Sequence, residues 1–98
     1  MLQLLVNGAP VNNGKVVIPA SISEVRTITV VHSQGAAAAG KLVSIETSSP
    51  TFISALSGNL GATGQFQFVV GPSFGARGTV NLTVNAGNQK RPLDITYA

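Results

Sequence analysis

The chain has 98 residues with 9% charged, a net charge of +3 and a mean hydropathy of +0.34. This length predicts a single domain over residues 1–98, and the absence of cysteine excludes disulfides and thiolate metal sites. The six cations are scattered, which argues against nucleic-acid binding, and no apolar run approaches the roughly 18 residues that insertion as a membrane-spanning helix requires.

The beginning of the chain predicts one edge strand in two pieces. Residues 2–6 alternate up to the turn signal Asn7-Gly8, and residues 15–18 follow a second turn signal at 12–14. Pro10 and Pro19 cannot donate ladder hydrogen bonds, so they confine these pieces to the edge of a sheet. We therefore expect residues 2–6 to form an edge to which another chain can pair.

The middle of the chain predicts short strands separated by loops. Residues 25–32 are rich in β-branched side chains, with Ile28 and Val30 suited to the core, and residues 42–45 form a short strand. Residues 34–40 are predicted to be a loop, with a single helical turn as the alternative, because four alanines cannot repay helix nucleation. Residues 51–54 predict a strand that switches sheets, and residues 58–64 a glycine-rich connection.

Three runs at 65–70, 79–84 and 92–97 alternate apolar and polar side chains with a period of two. The apolar row predicted to be buried comprises Phe66, Phe68, Val70, Val80, Leu82, Val84, Leu93, Ile95 and Tyr97. A sheet with one apolar face must be covered by a second layer. The pattern predicts an all-β fold, a seven-stranded antiparallel immunoglobulin-like β-sandwich.

Two stretches carry a family resemblance. One is 26–30, followed by Gly35 beyond His32, and the other comprises Leu60-Gly61, 66–68, 72–79 and 80–84. Together they resemble the Hydin-type and major-sperm-protein-like branch of the immunoglobulin-like sandwiches, including modules repeated in bacterial surface proteins. The sequence departs from that pattern at His32, where the family usually has Asn. The resemblance implies a seven-stranded sandwich used for assembly or adhesion, and it implies no shared catalytic residues.

Two glycine motifs invite an enzymatic interpretation that the sequence does not sustain. Residues 35–41 nearly match a phosphate-binding loop, but Leu42 replaces the required Ser or Thr and a strand follows. Residues 71–75 match the G-x-S-x-G nucleophile elbow, which works only before a helix, and a triad would require His32 and Asp94 to reach Ser73. His32 alone cannot build a metal site, so it is expected to be a polar residue at a strand end. We predict no enzyme activity, no catalytic residues, no cofactor and no metal.

Phe74, Arg77 and Phe52 are the candidate interface residues, because exposed aromatic side chains near turns often anchor partners. Low charge and absent catalytic groups predict a structural module that binds a protein partner in a larger assembly. The N-terminus lacks the features of a signal peptide, which favours a phage capsid or tail decoration protein at a virion surface. The alternative is an immunoglobulin-like repeat of a bacterial cell-surface or adhesion protein, in which Met1 is not the natural start. A carbohydrate-binding module with glycan ligands is a further alternative.

Overall fold

The computed structural model describes residues 2–11, 13–20, 25–48, 52–72 and 77–98. These ranges contain ten strands and one turn of 3-10 helix, Gly35–Ala38. The strands are β1 Gln3–Val6, β2 Ala9–Pro10, β3 Lys15–Ile18, β4 Arg26–Val31, β5 Leu42–Thr47, β6 Phe52–Ile53, β7 Ser57–Asn59, β8 Gln65–Gly71, β9 Gly78–Ala86 and β10 Gln89–Tyr97. The all-β prediction is confirmed, whereas the predicted count of seven strands is wrong because short strands flank the long ones.

The strands form two five-stranded sheets that pack face to face. The first sheet has the order β2-β1-β4-β8-β6, and the second has the order β3-β10-β9-β5-β7. Neighbouring strands are antiparallel except β3 and β10, which are parallel. The structure is therefore a sandwich, but its ladder is not antiparallel throughout.

The prediction of a single edge strand at the start of the chain is wrong. Its two pieces lie in different sheets, with β1 in the first and β3 at the edge of the second. Asn7 and Gly8 have φ values of 48° and 86°, which close a tight hairpin and bring β2 alongside β1. The Val11 amide also donates to the Leu4 carbonyl at 2.9 Å. The outer side of β1 is thus covered by β2, and Pro10 lies at the sheet edge.

The switching strand predicted near residues 51–54 is confirmed for the part that is described. β6 pairs with β8 in the first sheet, and β7, a few residues later, pairs with β5 in the second. The connection predicted at 58–64 therefore begins with a strand. Gly58 of β7 faces the ring of Phe66, which occupies the space that a Cβ on residue 58 would need.

The predicted core row is confirmed, with Phe66 half-buried and the other eight side chains buried. The first sheet contributes Ile28 and Val30 from β4 to the same core, and the second contributes Val43 and Ile45 from β5. Polar side chains alternate with this row along β8, β9 and β10. No helix in the described ranges is long and apolar enough to cross a membrane.

Leu2 and Ala98, the first and last described residues, lie at opposite poles of a molecule 38 Å long. The entry pole consists of Leu2 and residues 32–41, 60–64 and 86–89; the exit pole consists of residues 19–20, 25–26, 71–72, 77–78 and 97–98. Gln3 pairs with Val31 at the entry end of β4, whereas the Ala20 amide donates to the Ala98 carbonyl at the exit pole. Both β1 and β10 run from the entry pole to the exit pole.

The alternation along β8 generates a stability prediction. Phe68 is 1% exposed, whereas the neighbouring Gln67 is exposed and donates from Nε2 to Thr29 Oγ1 at 3.3 Å. Phe68→Ala should lower the free energy of unfolding by about 3–5 kcal/mol because it leaves a cavity between the sheets. Gln67→Ala should change it by no more than about 0.5 kcal/mol. Denaturant unfolding of both variants measures the difference, and similar losses would contradict the assigned facing.

Candidate interaction surfaces

The predicted interface residues that the structure describes lie at the exit pole. Phe52 is 51% exposed on β6, opposite Gly71 at the end of β8. Arg77 is exposed immediately before β9. Phe74 lies outside the described residues. The structure thus places Phe52 and Arg77 at the same pole, without a direct contact between them among the described interactions.

The surroundings of Phe52 make it part of a small apolar patch. Arg26 is opposite Val70, so Val25, which is 45% exposed, and Phe52 flank the same end of β8. Gly71 lies at this end of β8 and contributes no side chain. Exposed apolar groups beside cations are typical of protein contacts, and the patch is small enough to suit a limited contact.

The outer face of the second sheet carries a shallow polar depression of about 250 Å³. Its lining residues are Glu46, Thr47, Ser48, Asn81 and Thr83. The Asn81 amide nitrogen donates to Ser48 Oγ at 3.1 Å, and the Ser48 amide returns a bond to the Asn81 carbonyl at 3.0 Å. Ser48 and Asn81 thus already bond to each other, and the walls offer no aromatic platform for a sugar ring.

The polar side chains beside this depression are paired as well. Asn81 Nδ2 donates to Asp94 Oδ1, and Asn85 Nδ2 donates to Glu46 Oε1 at 3.2 Å. Asp94 therefore belongs to the outer face of the second sheet, whereas His32 lies at the entry pole. The structure does not bring His32 and Asp94 together, and Ser73 lies outside the described residues. In the described ranges, no group of three or more metal-binding side chains is present.

The segment resembling a phosphate-binding loop forms a structural connection. Gly35–Ala38 is a 3-10 turn, and the partly buried Lys41 continues directly into β5. The Gly40 amide donates to the Leu60 carbonyl at 2.8 Å, and the Leu60 amide donates to the Lys41 carbonyl at 2.9 Å. The prediction of a loop is corrected to the alternative single helical turn. A 3-10 turn that leads into a strand has no helix N-terminus with which to hold a phosphate.

His32 is the residue whose environment the sequence did not reveal. It follows β4, as predicted for a strand-end residue, but it is only 1% exposed. Its amide donates to the Gly64 carbonyl at 2.9 Å, and its carbonyl accepts from the Gly35 amide at 3.0 Å. Its Nδ1 accepts from the Gln34 amide at 3.1 Å. The residues that bury it come from distant parts of the chain, and the glycines at 35, 64 and 87 are the sole sequence signal of close packing.

Burial lowers the pKa of His32 below the usual 6.5, and the positive charge of Lys41 lowers it further. A neutral imidazole that accepts at Nδ1 carries its proton on Nε2. In the structure Nε2 is buried and has no hydrogen-bond partner. The backbone of His32 therefore links residues 32–41 to residues 60–64, and its neutral ring accepts a further hydrogen bond from the Gln34 amide.

The entry pole generates a second stability prediction, based on two glycines with similar φ. Gly40 has φ +83° with open space around it, whereas Gly64 has φ +78° and lies against the Gly35 backbone, where a Cβ would overlap the carbonyl oxygen. Gly40→Ala should cost about 1–2 kcal/mol of unfolding free energy from the left-handed backbone alone. Gly64→Ala should cost at least about 1 kcal/mol more, because backbone must move. Thermal or denaturant unfolding measures both losses. Equal losses for Gly40→Ala and Gly64→Ala would show that the backbone at Gly35 can move away from residue 64 at no cost in stability.

Comparison with known proteins finds similarity at the level of structure. No protein-family model and no curated protein sequence matches the chain. The chain is similar to the D00-D0 domain of intimin, with a TM-score of 0.66 and 17% identity over 99% of its length. It is also similar to a C-terminal 282-residue fragment of intimin in complex with the translocated intimin receptor (Tir) intimin-binding domain, with a TM-score of 0.65 and 10% identity over 83% of its length.

A third similar structure is that of domains 4 and 5 of the S-layer protein SbsC, with a TM-score of 0.55 and 11% identity over the whole chain. The chain has an immunoglobulin-like fold. It spans 47%, 29% and 53% of the D00-D0, receptor-complex and SbsC structures, respectively. These neighbours support the immunoglobulin-like part of the resemblance seen in the sequence. They give no support to its Hydin-type and major-sperm-protein-like branch or to a phage origin.

Proposed function

We propose that this chain is a non-enzymatic structural module of a bacterial cell-surface protein, joined end to end with other modules and contacting protein partners. The observation that carries the proposal is the placement of its ends. The polypeptide enters at one pole of a 38 Å sandwich and leaves at the other, so successive modules extend along one axis. The similarity to intimin and S-layer domains supports the cell-surface alternative better than a virion decoration protein.

The described surface is consistent with contacts to protein rather than turnover or sugar binding. The patch around Phe52 offers apolar contact area, and Arg77 adds an exposed cation at the same pole. Tyr97, the single tyrosine, is 3% exposed and cannot serve as a stacking platform, and the chain has no tryptophan. In the polar depression on the second sheet, Glu46 Oε1 accepts from Asn85 Nδ2 and Ser48 Oγ accepts from the Asn81 backbone amide, so both groups are engaged in structural hydrogen bonds.

Location in the source cell tests the proposal. An antibody raised against the chain should label intact cells, and protease treatment of intact cells should remove that label while a cytoplasmic marker survives. Recovery of the chain in the cell-envelope fraction is the expected result. Recovery with purified phage particles, or labelling only after the cells are broken, would overturn it in favour of a virion or an internal location.

The parallel pair of β3 and β10 predicts how the module responds to tension. When the two ends are pulled apart, β3 and β10 are drawn in opposite directions along their lengths, so their hydrogen bonds share the force. The Asp94 amide donates to Gly14 and the Ala98 amide donates to Ile18, at 2.7 and 3.0 Å. Successive backbone groups of a strand point to opposite sides, and here the even-numbered residues of β3 face β10. The Val16 amide therefore points towards β10, and the Val17 amide points away from it.

Val16→Pro should therefore weaken the module more than Val17→Pro, because only the first substitution removes a donor from this ladder. We expect Val16→Pro to lower the unfolding free energy by about 1–3 kcal/mol more than Val17→Pro. In single-molecule stretching from both ends, its unfolding force should fall as well. If the two variants unfold at the same force, the β3–β10 ladder does not resist tension.

A further inference from the structure

His32 has an arrangement that can exist in only one protonation state. Its Nδ1 accepts the Gln34 amide hydrogen at 3.1 Å, so the ring is neutral and its remaining proton is on Nε2. Nε2 is buried without a partner, and Gln89 Oε1 is the other such atom among the described residues. Gln89 Nε2 donates to Ser33 Oγ at 2.8 Å, so both unpartnered atoms belong to the corner of the entry pole around residues 32–33.

A second proton on His32 would convert its acceptor into a donor. Nδ1–H would then face the Gln34 amide hydrogen, and the hydrogen bond that orders residues 32–34 would be lost. A cationic ring would also be buried without compensation, which is costly unless the ring is exposed or paired. The protonated ring can reach solvent only if the connection that begins at residue 32 opens.

Within the part of the chain that the structure describes, the charged groups around His32 offer the cation no partner. Lys41, at the start of β5, packs its side chain against Gly87, donates from Nζ to Gln34 Oε1 at 3.4 Å and carries a positive charge. The 3-10 turn and residues 60–64 contain no charged residue, and the end of the β9–β10 hairpin that carries Gly87 adds two more cations, Lys90 and Arg91. Arg91 donates to the carbonyls of Leu2 and Val11 at 3.1 and 3.2 Å. The carboxylates of Glu46 and Asp94 accept hydrogen bonds on the outer face of the second sheet.

The backbone of His32 connects this titration to a large part of the entry pole. Its amide holds Gly64, its carbonyl holds Gly35, and Gly35 and Gly64 lie in backbone contact. The loop 32–41 is further bonded to Leu60 by the Gly40 amide. Movement of residue 32 would release both the 32–41 and the 60–64 connections while leaving the paired strands intact.

We propose that His32 is a pH-sensitive latch of the entry pole, whose protonation opens the 32–41 and 60–64 connections while both sheets stay folded. The direction in pH follows from the neutral folded form. Above the pKa of an unfolded histidine, about 6.5, both the closed and open states are neutral and the latch is fully stabilising. As the pH falls below that value the open state binds the proton first, so closure is lost progressively until the closed state also titrates.

Amide hydrogen exchange of the wild-type chain between pH 7 and pH 5 tests the latch, with rates corrected for the intrinsic pH dependence of exchange. The amides of Gln34, Gly35 and Gly40 should show an opening equilibrium that grows by up to about tenfold per pH unit below the unfolded histidine pKa. The amides of Asp94 and Ala98, which are held by Gly14 and Ile18, serve as controls that should not change. Carboxyl groups ordinarily titrate near pH ~4 and do not interfere in this window.

The matched variant is His32→Asn, because Asn can place a side-chain oxygen near the position of Nδ1 and accept the Gln34 amide without titrating. It should remove the pH dependence of exchange at Gln34 and Gly35. If this variant does not fold, NMR titration of the wild-type imidazole tests whether His32 is held neutral in the folded chain. We expect a midpoint below 6.5. A midpoint at or above 6.5, unchanged opening at Gln34 between pH 7 and 5, or the same pH dependence in His32→Asn would each overturn the proposal.

Discussion

Each of the two sheets has a single apolar face, and neither face is stable until the other covers it. This constraint explains why the chain passes repeatedly between sheets, since a strand that stayed with its neighbours would leave the second layer incomplete. It passes at every connection from β2–β3 to β8–β9, so that only the β1–β2 and β9–β10 hairpins stay within one sheet. Each passage leaves carbonyl groups that no strand can satisfy, and these groups must find partners elsewhere.

Arg91 supplies hydrogen-bond donors to such carbonyl groups near the first passage, between β2 and β3. It extends from β10 of the second sheet, and its Nη1 and Nη2 donate to the carbonyls of Leu2 and Val11 at 3.1 and 3.2 Å. Both carbonyls belong to the segment that carries β1 and β2 in the first sheet. One guanidinium thus joins the two layers at the entry pole, and its two divergent donors suit this role better than a single ammonium would.

The sequence predicts the long strands well because their pattern is local. Leu82 and Ile95 can be assigned to the core from alternation alone, and their facing is the one observed. The short strands depend on distant contacts: β7 contains Gly58 because the Phe66 ring occupies the space beside it. The sequence predicted His32 as a polar residue at a strand end but did not predict its burial, because residues 60–64 and 87, which pack around it, are remote in sequence. The exit-pole candidates Phe52 and Arg77 followed from residue type and turn position, and they remain predictions of contact.

The outer edge of the second sheet limits pairing with strands of other molecules. Lys15 and Pro19 bracket the outer side of β3, and the Lys15 amide is already bonded to Asn13 Oδ1 at 3.1 Å. The stretch of β3 that could pair with a foreign strand is thereby limited to the outward groups around Val17. A fibre assembled from such units would keep its neighbours at high local concentration, and each unit would still refold with its own strands after being stretched open.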